Sequence, residues 1–271
     1  MGPLRPDQIL QSVVNDFVVW RRMHNRWENH PTLEPKVNKP VSDSTIGKEL
    51  RLLRAAMNHV HETHGLACEP KFKIKVSDGL PRNEYLTRSE VQKMLDLCED
   101  DSREHIELFL LISVATGARK EAVLSLKWNQ VHIGAFSPDP NERLKSDSNS
   151  WLDFGVGSGN KRRPRIPISS NFRLWSHLTM PKKHPEFVIT YKGQPISDIK
   201  GGFANVLKEA KIDKKVTPHD MKHTAITLML QRGIDPETVS RWTNTTLETI
   251  FRVYSHHIPD HHEALGDAVS F

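Results

Sequence analysis

The longest apolar run in this 271-residue chain, Ile106-Glu-Leu-Phe-Leu-Leu-Ile-Ser-Val114, constrains its fold more than any other segment. It falls well short of the roughly 20 apolar residues that a helix needs to cross a bilayer. It belongs instead to a helix read from about Glu104 to Ala115 and closed by the sharp turn Thr116-Gly117. Arg119 starts the next helix, to about Lys127, and Thr87-Arg-Ser-Glu90 is a capping-box pattern opening an earlier one through Leu97. The centre of the chain is therefore read as a run of helices separated by short turns.

The flanks extend this pattern. In 7–28, Ile9, Val13, Phe17, Trp20 and Met23 recur at three- and four-residue steps and predict a helix, broken by Pro31, Pro35 and Pro40. A second helix starts at Ser42 or Ser44 and carries Ile46, Leu50, Leu53, Met57 and Val60 to about Thr63, with Lys48, Arg51 and Arg54 on its polar side. Glu69 to Asn83, with Pro70, Gly79, Pro81 and alternating lysines, reads as an extended linker. Further on, Asp139 to Ser150 is a polar loop. Trp151–Val156 and Arg163–Ile168 flank Gly157-Ser-Gly-Asn-Lys-Arg162 as a β-hairpin, and Phe187–Tyr191 reads as a third strand. From Ile199 the pattern is helical. The expected fold class is mainly α with a small antiparallel β-sheet (α+β), in two parts: a small helical unit with its linker over 1–82 and a larger domain over 83–271.

Charge narrows the partner. Residues 1–82 hold thirteen Lys and Arg against nine Asp and Glu, so +4 of the net +5 sits in that third. A polyanion such as DNA is the natural match, because each cation near a phosphate releases condensed counterions. Cys68 and Cys98 lie in no metal or redox spacing, and no signal-peptide pattern opens the chain, so a reduced cytoplasmic setting is expected. His256, His257, His261 and His262 cluster without a Cys or a His-Glu-x-x-His arrangement, and no metal or other cofactor is expected.

The chemistry sits in Thr217-Pro-His-Asp-Met-Lys-His223, followed thirty-one residues later by Tyr254 in Phe251-Arg-Val-Tyr-Ser-His-His257. Two imidazoles and an ammonium share a helical turn, with a phenol a short helical hairpin away. Phosphate-binding cations beside an oxygen nucleophile suggest phosphoryl transfer to tyrosine. Three segments together resemble the tyrosine recombinase, or phage integrase, family: Ala115-Thr-Gly-Ala-Arg119, the basic hairpin around Lys161, and His219-x-x-Lys-His223 with Arg-Val-Tyr254-Ser-His. The ending Tyr-Ser-His-His-Ile-Pro-Asp-His looks like that of prophage-type integrases.

The resemblance implies that Tyr254 attacks the scissile phosphate to give a 3′-phosphotyrosyl link, without metal or ATP. It implies that Arg119 grips two phosphate oxygens, that His219 bonds a phosphate oxygen or assists deprotonation of Tyr254, and that Lys161 protonates the departing 5′-oxygen. His223 is expected to be packed and structural. Lys222 stands where the family usually has its second arginine, and Asn244 where it usually has His or Trp. Trp242 could fill the same space if the turn is shifted, and Glu121 lies two residues after Arg119 where the family's acid lies three after. The implied partner is double-stranded DNA at paired recombination sites, contacted by Lys48, Arg51, Arg54, Arg162 and Arg163. The resemblance also implies a homo-tetramer tethered through the C-terminal segment, an accessory DNA-bending protein as a further partner, and no membrane. For a complete integrase the N-terminal region looks short. The alternative readings are a non-cleaving DNA-binding protein of the same fold and a type IB-like topoisomerase.

Overall fold

Leu10 decides where the first α-helix begins. Its backbone is extended and forms a parallel bridge with Lys71, so the chain cannot yet be helical there. Pro6–Gln8 is a separate 3₁₀ turn and α1 spans Gln11–Met23, a later start than the periodicity from residue 7 predicts. In α2 (Asp43–His64) the Ser42 hydroxyl accepts the Thr45 N–H, and Gly65 ends the helix at φ 61°. The computed structural model describes residues 4–24, 41–65, 69–77, 84–100, 102–134, 150–155, 165–168 and 170–258. The loops read at 31–40 and 139–149, the hairpin tip at 156–164 and the tail at 259–271 lie outside them.

The chain divides into two units, Met1–Arg82 and Asn83–Phe271. In the first, Val14 of α1 meets Ile46, Leu50 and Met57 of α2, and Phe72 completes the core. The reading of Glu69–Asn83 as a plain linker is thus corrected over 69–77. Phe72 is buried, and Ile74 and Val76 pack against the same cluster, because the helix pair leaves an apolar face for a third element to cover.

The second unit contains α3 (Arg88–Asp96), α4 (Glu104–Thr116), α5 (Lys120–Leu124), α6 (Phe172–Thr179), α7 (Lys200–Glu209), α8 (Met221–Gln231), α9 (Pro236–Thr243) and α10 (Leu247–Tyr254). The predicted capping box forms: Glu90 accepts the Thr87 N–H at 2.7 Å, and Thr87 accepts the Glu90 N–H at 3.3 Å. Residues Ile106 to Ser113 of α4 are all buried, and the helix packs most extensively against α8.

An antiparallel sheet in the order β1 (Val131–His132), β2 (Trp151–Asp153), β3 (Arg165–Pro167) covers one side. Its register pairs Leu152 with Val131 and Ile166, which places Leu152 and Ile166 in the core. The reading of Phe187–Tyr191 as one strand is corrected. Phe187 makes only an isolated bridge with Lys127, and Thr190–Tyr191 (β4) pairs with Gln194–Pro195 (β5). Lys192 and Gly193, at φ 51° and 73°, supply the two left-handed positions that such a tight hairpin needs.

Candidate active site

The Thr116-Gly117 turn positions Arg119. The Thr116 hydroxyl donates to the Ile112 carbonyl and accepts the Ala118 N–H, while Gly117 caps α4 at φ 61°. Arg119 then occupies the N-cap of α5 in an extended conformation with its side chain exposed. Among the described residues its guanidinium has no hydrogen-bond or ion-pair partner. The turn also lies hard against α9: a Cβ on Gly117 would come 2.7 Å from the Thr243 methyl. Gly117→Ala is expected to cost more than about 1 kcal/mol, because strain at positive φ adds to the clash. Urea denaturation checks this, and an unchanged midpoint would show that the approach relaxes freely.

This contact gathers three predicted residues. Arg119, Lys222 and Asn244 line one shallow recess, with Phe154 and Ile166 from the sheet as its apolar wall. Lys222 Nζ donates to the Thr243 carbonyl at 2.6 Å, which ties the first turn of α8 to the end of α9. Asn244 caps α9 in the left-handed conformation, φ 49° and ψ 51°, where asparagine is tolerated far better than a bulky side chain. Trp242 also lines the recess, but its indole N–H donates to the Ala115 carbonyl at 3.1 Å. Its donor is thus engaged by the backbone while its ring forms part of the lining.

His219 lies on the adjoining 3₁₀ turn Pro218–Asp220, exposed to solvent, with Nε2 3.6 Å from Glu121. Asp220 shapes that turn by accepting both the N–H and the hydroxyl of Thr217. The Glu121 carboxyl is held below its usual range by its own backbone N–H, with help from the charges of His219 and Lys120. His219 does not line the recess in this structure.

Tyr254 ends α10 with its ring buried among Ile226, Leu230, Val239 and Ile250. It is only 5 % exposed, and its hydroxyl lies 2.6 Å from His223 Nδ1. Burial, with the Asp220 carboxylate adding to it, pushes the phenol well above its ordinary value. Burial also lowers His223, helped by Lys222 and opposed by Asp220. Both shifts favour the neutral forms, and the imidazole tautomer decides which of the two groups donates. His223 is packed, as its place in the helix suggests, and its specific partner is Tyr254. The spacing of thirty-one residues carries no signal for that contact.

Lys161, Arg162 and Arg163 lie outside the described residues. On α2, Lys48 and Arg51 are exposed, while Arg54 turns back to donate to the Phe72 carbonyl at 2.8 Å. Among the described residues no helix is long and apolar enough to cross a membrane, and no group of three metal-ligating side chains converges.

A helical unit with a small antiparallel sheet and a cationic recess at the α4–α5 turn is the architecture of a tyrosine recombinase catalytic domain. The model of the phage integrase family matches residues 84–261, and the chain belongs to that family. Over 234 residues it is 23 % identical to the tyrosine recombinase XerD of Listeria monocytogenes, spanning 79 % of this chain and 72 % of that one. It is 28 % identical over 196 residues to the tyrosine recombinase XerA of Pyrococcus horikoshii, spanning 69 % and 62 %. Among solved structures, the Tn1549 transposon integrase in complex with circular intermediate DNA superposes with a TM-score of 0.65 at 18 % identity, over 99 % of this chain and 88 % of that one. The XerH recombinase bound to difH substrate, a pre-cleavage complex, superposes at 0.61 and 16 % identity, over 97 % and 71 %. These two likenesses are of fold.

Proposed function

We propose that this protein is a site-specific DNA recombinase that cuts and rejoins duplex DNA through a 3′-phosphotyrosyl bond on Tyr254. The observation that carries the reading is the recess where Arg119, Lys222 and Asn244 meet, one helical hairpin from a phenol. A phosphoryl group in transfer gains negative charge on its equatorial oxygens, and preorganised donors stabilise it there. Arg119 offers a planar fork to two such oxygens, Lys222 a point charge, and Asn244 a neutral donor.

In the proposed reaction the Tyr254 O–H bond breaks, its proton passing to the His219 imidazole, and the phenolate oxygen bonds to phosphorus. The bond from phosphorus to the 5′-oxygen breaks, and that oxygen takes a proton, the role assigned to Lys161. Attack requires the phenol to leave His223 and reach the recess, with α10 as the moving part. His219, exposed beside the recess, is placed to hydrogen-bond a non-bridging oxygen once DNA is present. Rejoining by the free 5′-hydroxyl conserves the bond energy, so no ATP is needed. The protein is assigned paired duplex sites held by four protomers, and Lys48 and Arg51 are assigned contacts to DNA. The test is covalent trapping on nicked duplexes tiled across the ends of the protein's own element. Relaxation of supercoiled DNA at many sequences without paired sites would instead indicate a topoisomerase.

A second reading, a non-cleaving DNA-binding protein, is favoured by one observation: Lys222 replaces a forked donor, and its ammonium already serves the Thr243 carbonyl. Lys222→Arg separates the two. A guanidinium can keep the carbonyl bond and still present N–H groups to phosphate. One recovered charge-assisted hydrogen bond is worth roughly 1.5–3 kcal/mol, so cleavage should speed up about ten- to a hundredfold. Single-turnover cleavage checks this, and an unchanged or slower rate would show that lysine is not a weak substitute.

A further inference from the structure

The segment Lys71 to Ser77 alternates strictly in the structure. Lys71, Lys73 and Lys75 are exposed, while Phe72 is buried and Ile74 and Val76 pack on the small core. A period of two on an extended chain sets successive lysines about 6.6–6.8 Å apart on one face.

The row is tied to both helices of the unit. Leu10 bridges Lys71, and the Gln11 carboxamide takes the place of a neighbouring strand for Lys73. It accepts the Lys73 N–H at 2.7 Å and donates to the Lys73 carbonyl at 3.2 Å. Arg54 donates to the Phe72 carbonyl and lies 5.3 Å over the Phe72 ring. The backbone that carries the lysines is thus fixed from both helices of the unit.

Charge is distributed to match. The arginines of α1 are engaged by acids: Arg21 with Glu49 at 3.0 Å and Arg22 with Asp43 at 2.8 Å. Among the described residues none of the three lysines has an ion-pair partner. Among the described residues the row thus presents three exposed ammonium groups to solvent.

We propose that Lys71, Lys73 and Lys75 form a comb that grips the phosphate backbone of one strand of duplex DNA, a contact that rests on the recombinase reading above. Lysine is a compact point charge without a fork, suited to phosphate and not to reading base edges. Neighbouring phosphates of one strand climb 3.4 Å or so of helix axis while winding around it, which sets them about 7 Å apart in space, so the lysine step matches one phosphate step. An acidic protein surface has no such period. The comb therefore supplies affinity and register without sequence preference.

The test is duplex binding by the full chain across a salt series, comparing wild type with the triple variant Lys71→Gln, Lys73→Gln, Lys75→Gln. Each phosphate contact contributes about −0.9 to the slope of log K against log salt, so losing three should make the slope shallower by about 2.7. Affinity should fall by a similar factor for specific and unrelated duplexes. The triple Lys→Arg variant, which keeps the charges, should retain the wild-type slope, and matching thermal melts exclude misfolding. A slope within about one unit of wild type in the triple Gln variant overturns the comb. That outcome would leave the recombinase reading standing and turn attention to an acidic protein partner. A wild type that binds no duplex at any salt overturns both.

Discussion

Tyr254→Phe is expected to abolish the SDS-resistant protein–DNA adduct on a nicked duplex while leaving duplex binding in place. Phenylalanine lacks the oxygen that would bond to phosphorus, so covalent capture should fall to background. It has nearly the shape of tyrosine and keeps the contacts of the buried ring with Ile226, Val239 and Ile250. The variant does leave His223 Nδ1 without its 2.6 Å partner. A part-buried polar group left unpaired costs about 1 kcal/mol or more, so the variant should melt earlier but stay folded at assay temperature. An adduct that survives the change would remove Tyr254 from the mechanism. Specific binding with no adduct from either protein would favour the non-cleaving reading.

The largest effect on stability is expected at Glu107, which is nearly fully buried on α4. Arg173 Nε donates to its carboxylate at 2.5 Å and His177 Nε2 lies at 3.0 Å, so the cluster ties α4 to α6. Arg173 also donates to the Leu95 carbonyl at the end of α3. Burial alone would raise the Glu107 carboxyl, but hydrogen bonds from His177 and Arg173 outweigh it and hold the group below its ordinary value. Glu107→Ala removes the acceptor shared by Arg173 and His177 while Arg173 keeps the Leu95 carbonyl, and should cost about 3 kcal/mol. For a unit of this size that is a fall in Tm on the order of 10 °C. Because the folded carboxyl is depressed, its stabilisation is fully present above the unfolded value near 4.5 and is lost as pH falls through the folded value. The gap between wild type and variant should therefore close in acid. Denaturant titrations at neutral and acid pH check this; a gap below about 1 kcal/mol at neutral pH would show the cluster to be dispensable.

Much of the fold is legible because local chemistry dictates it. Ser42, the Thr87–Glu90 box and Gly117 mark helix ends through hydrogen bonds made within a turn. Long-range pairing is less legible. The strand Val131–His132 is two residues long and exists because Leu152 lies opposite it, and no periodicity can mark so short an element. Phe187–Tyr191 has strand-forming residues, yet the Phe187 N–H goes to His184 Nδ1, the Val188 N–H to the Leu126 carbonyl, and Thr190–Tyr191 into a separate hairpin. Glu69–Asn83 reads as linker because of Pro70, Gly79, Pro81 and its alternating lysines. The burial of Phe72 becomes visible only when α1 and α2 are packed and leave a face for it.

The candidate site divides along the same line. The residue types were determined by the sequence alone: the arginine after Thr-Gly, the His-x-x-Lys-His turn and the phenol thirty-one residues on. These types in this order carry the resemblance to the family, because phosphoryl chemistry needs those functional groups. Which of them meet was decided by tertiary packing. The close approach of Gly117 to Thr243 brings Arg119, Lys222 and Asn244 around one recess. The fold of α8 on α10 buries Tyr254 against His223 instead. Side-chain identity is carried by single positions, whereas proximity between positions tens of residues apart depends on how apolar faces of whole helices cover one another.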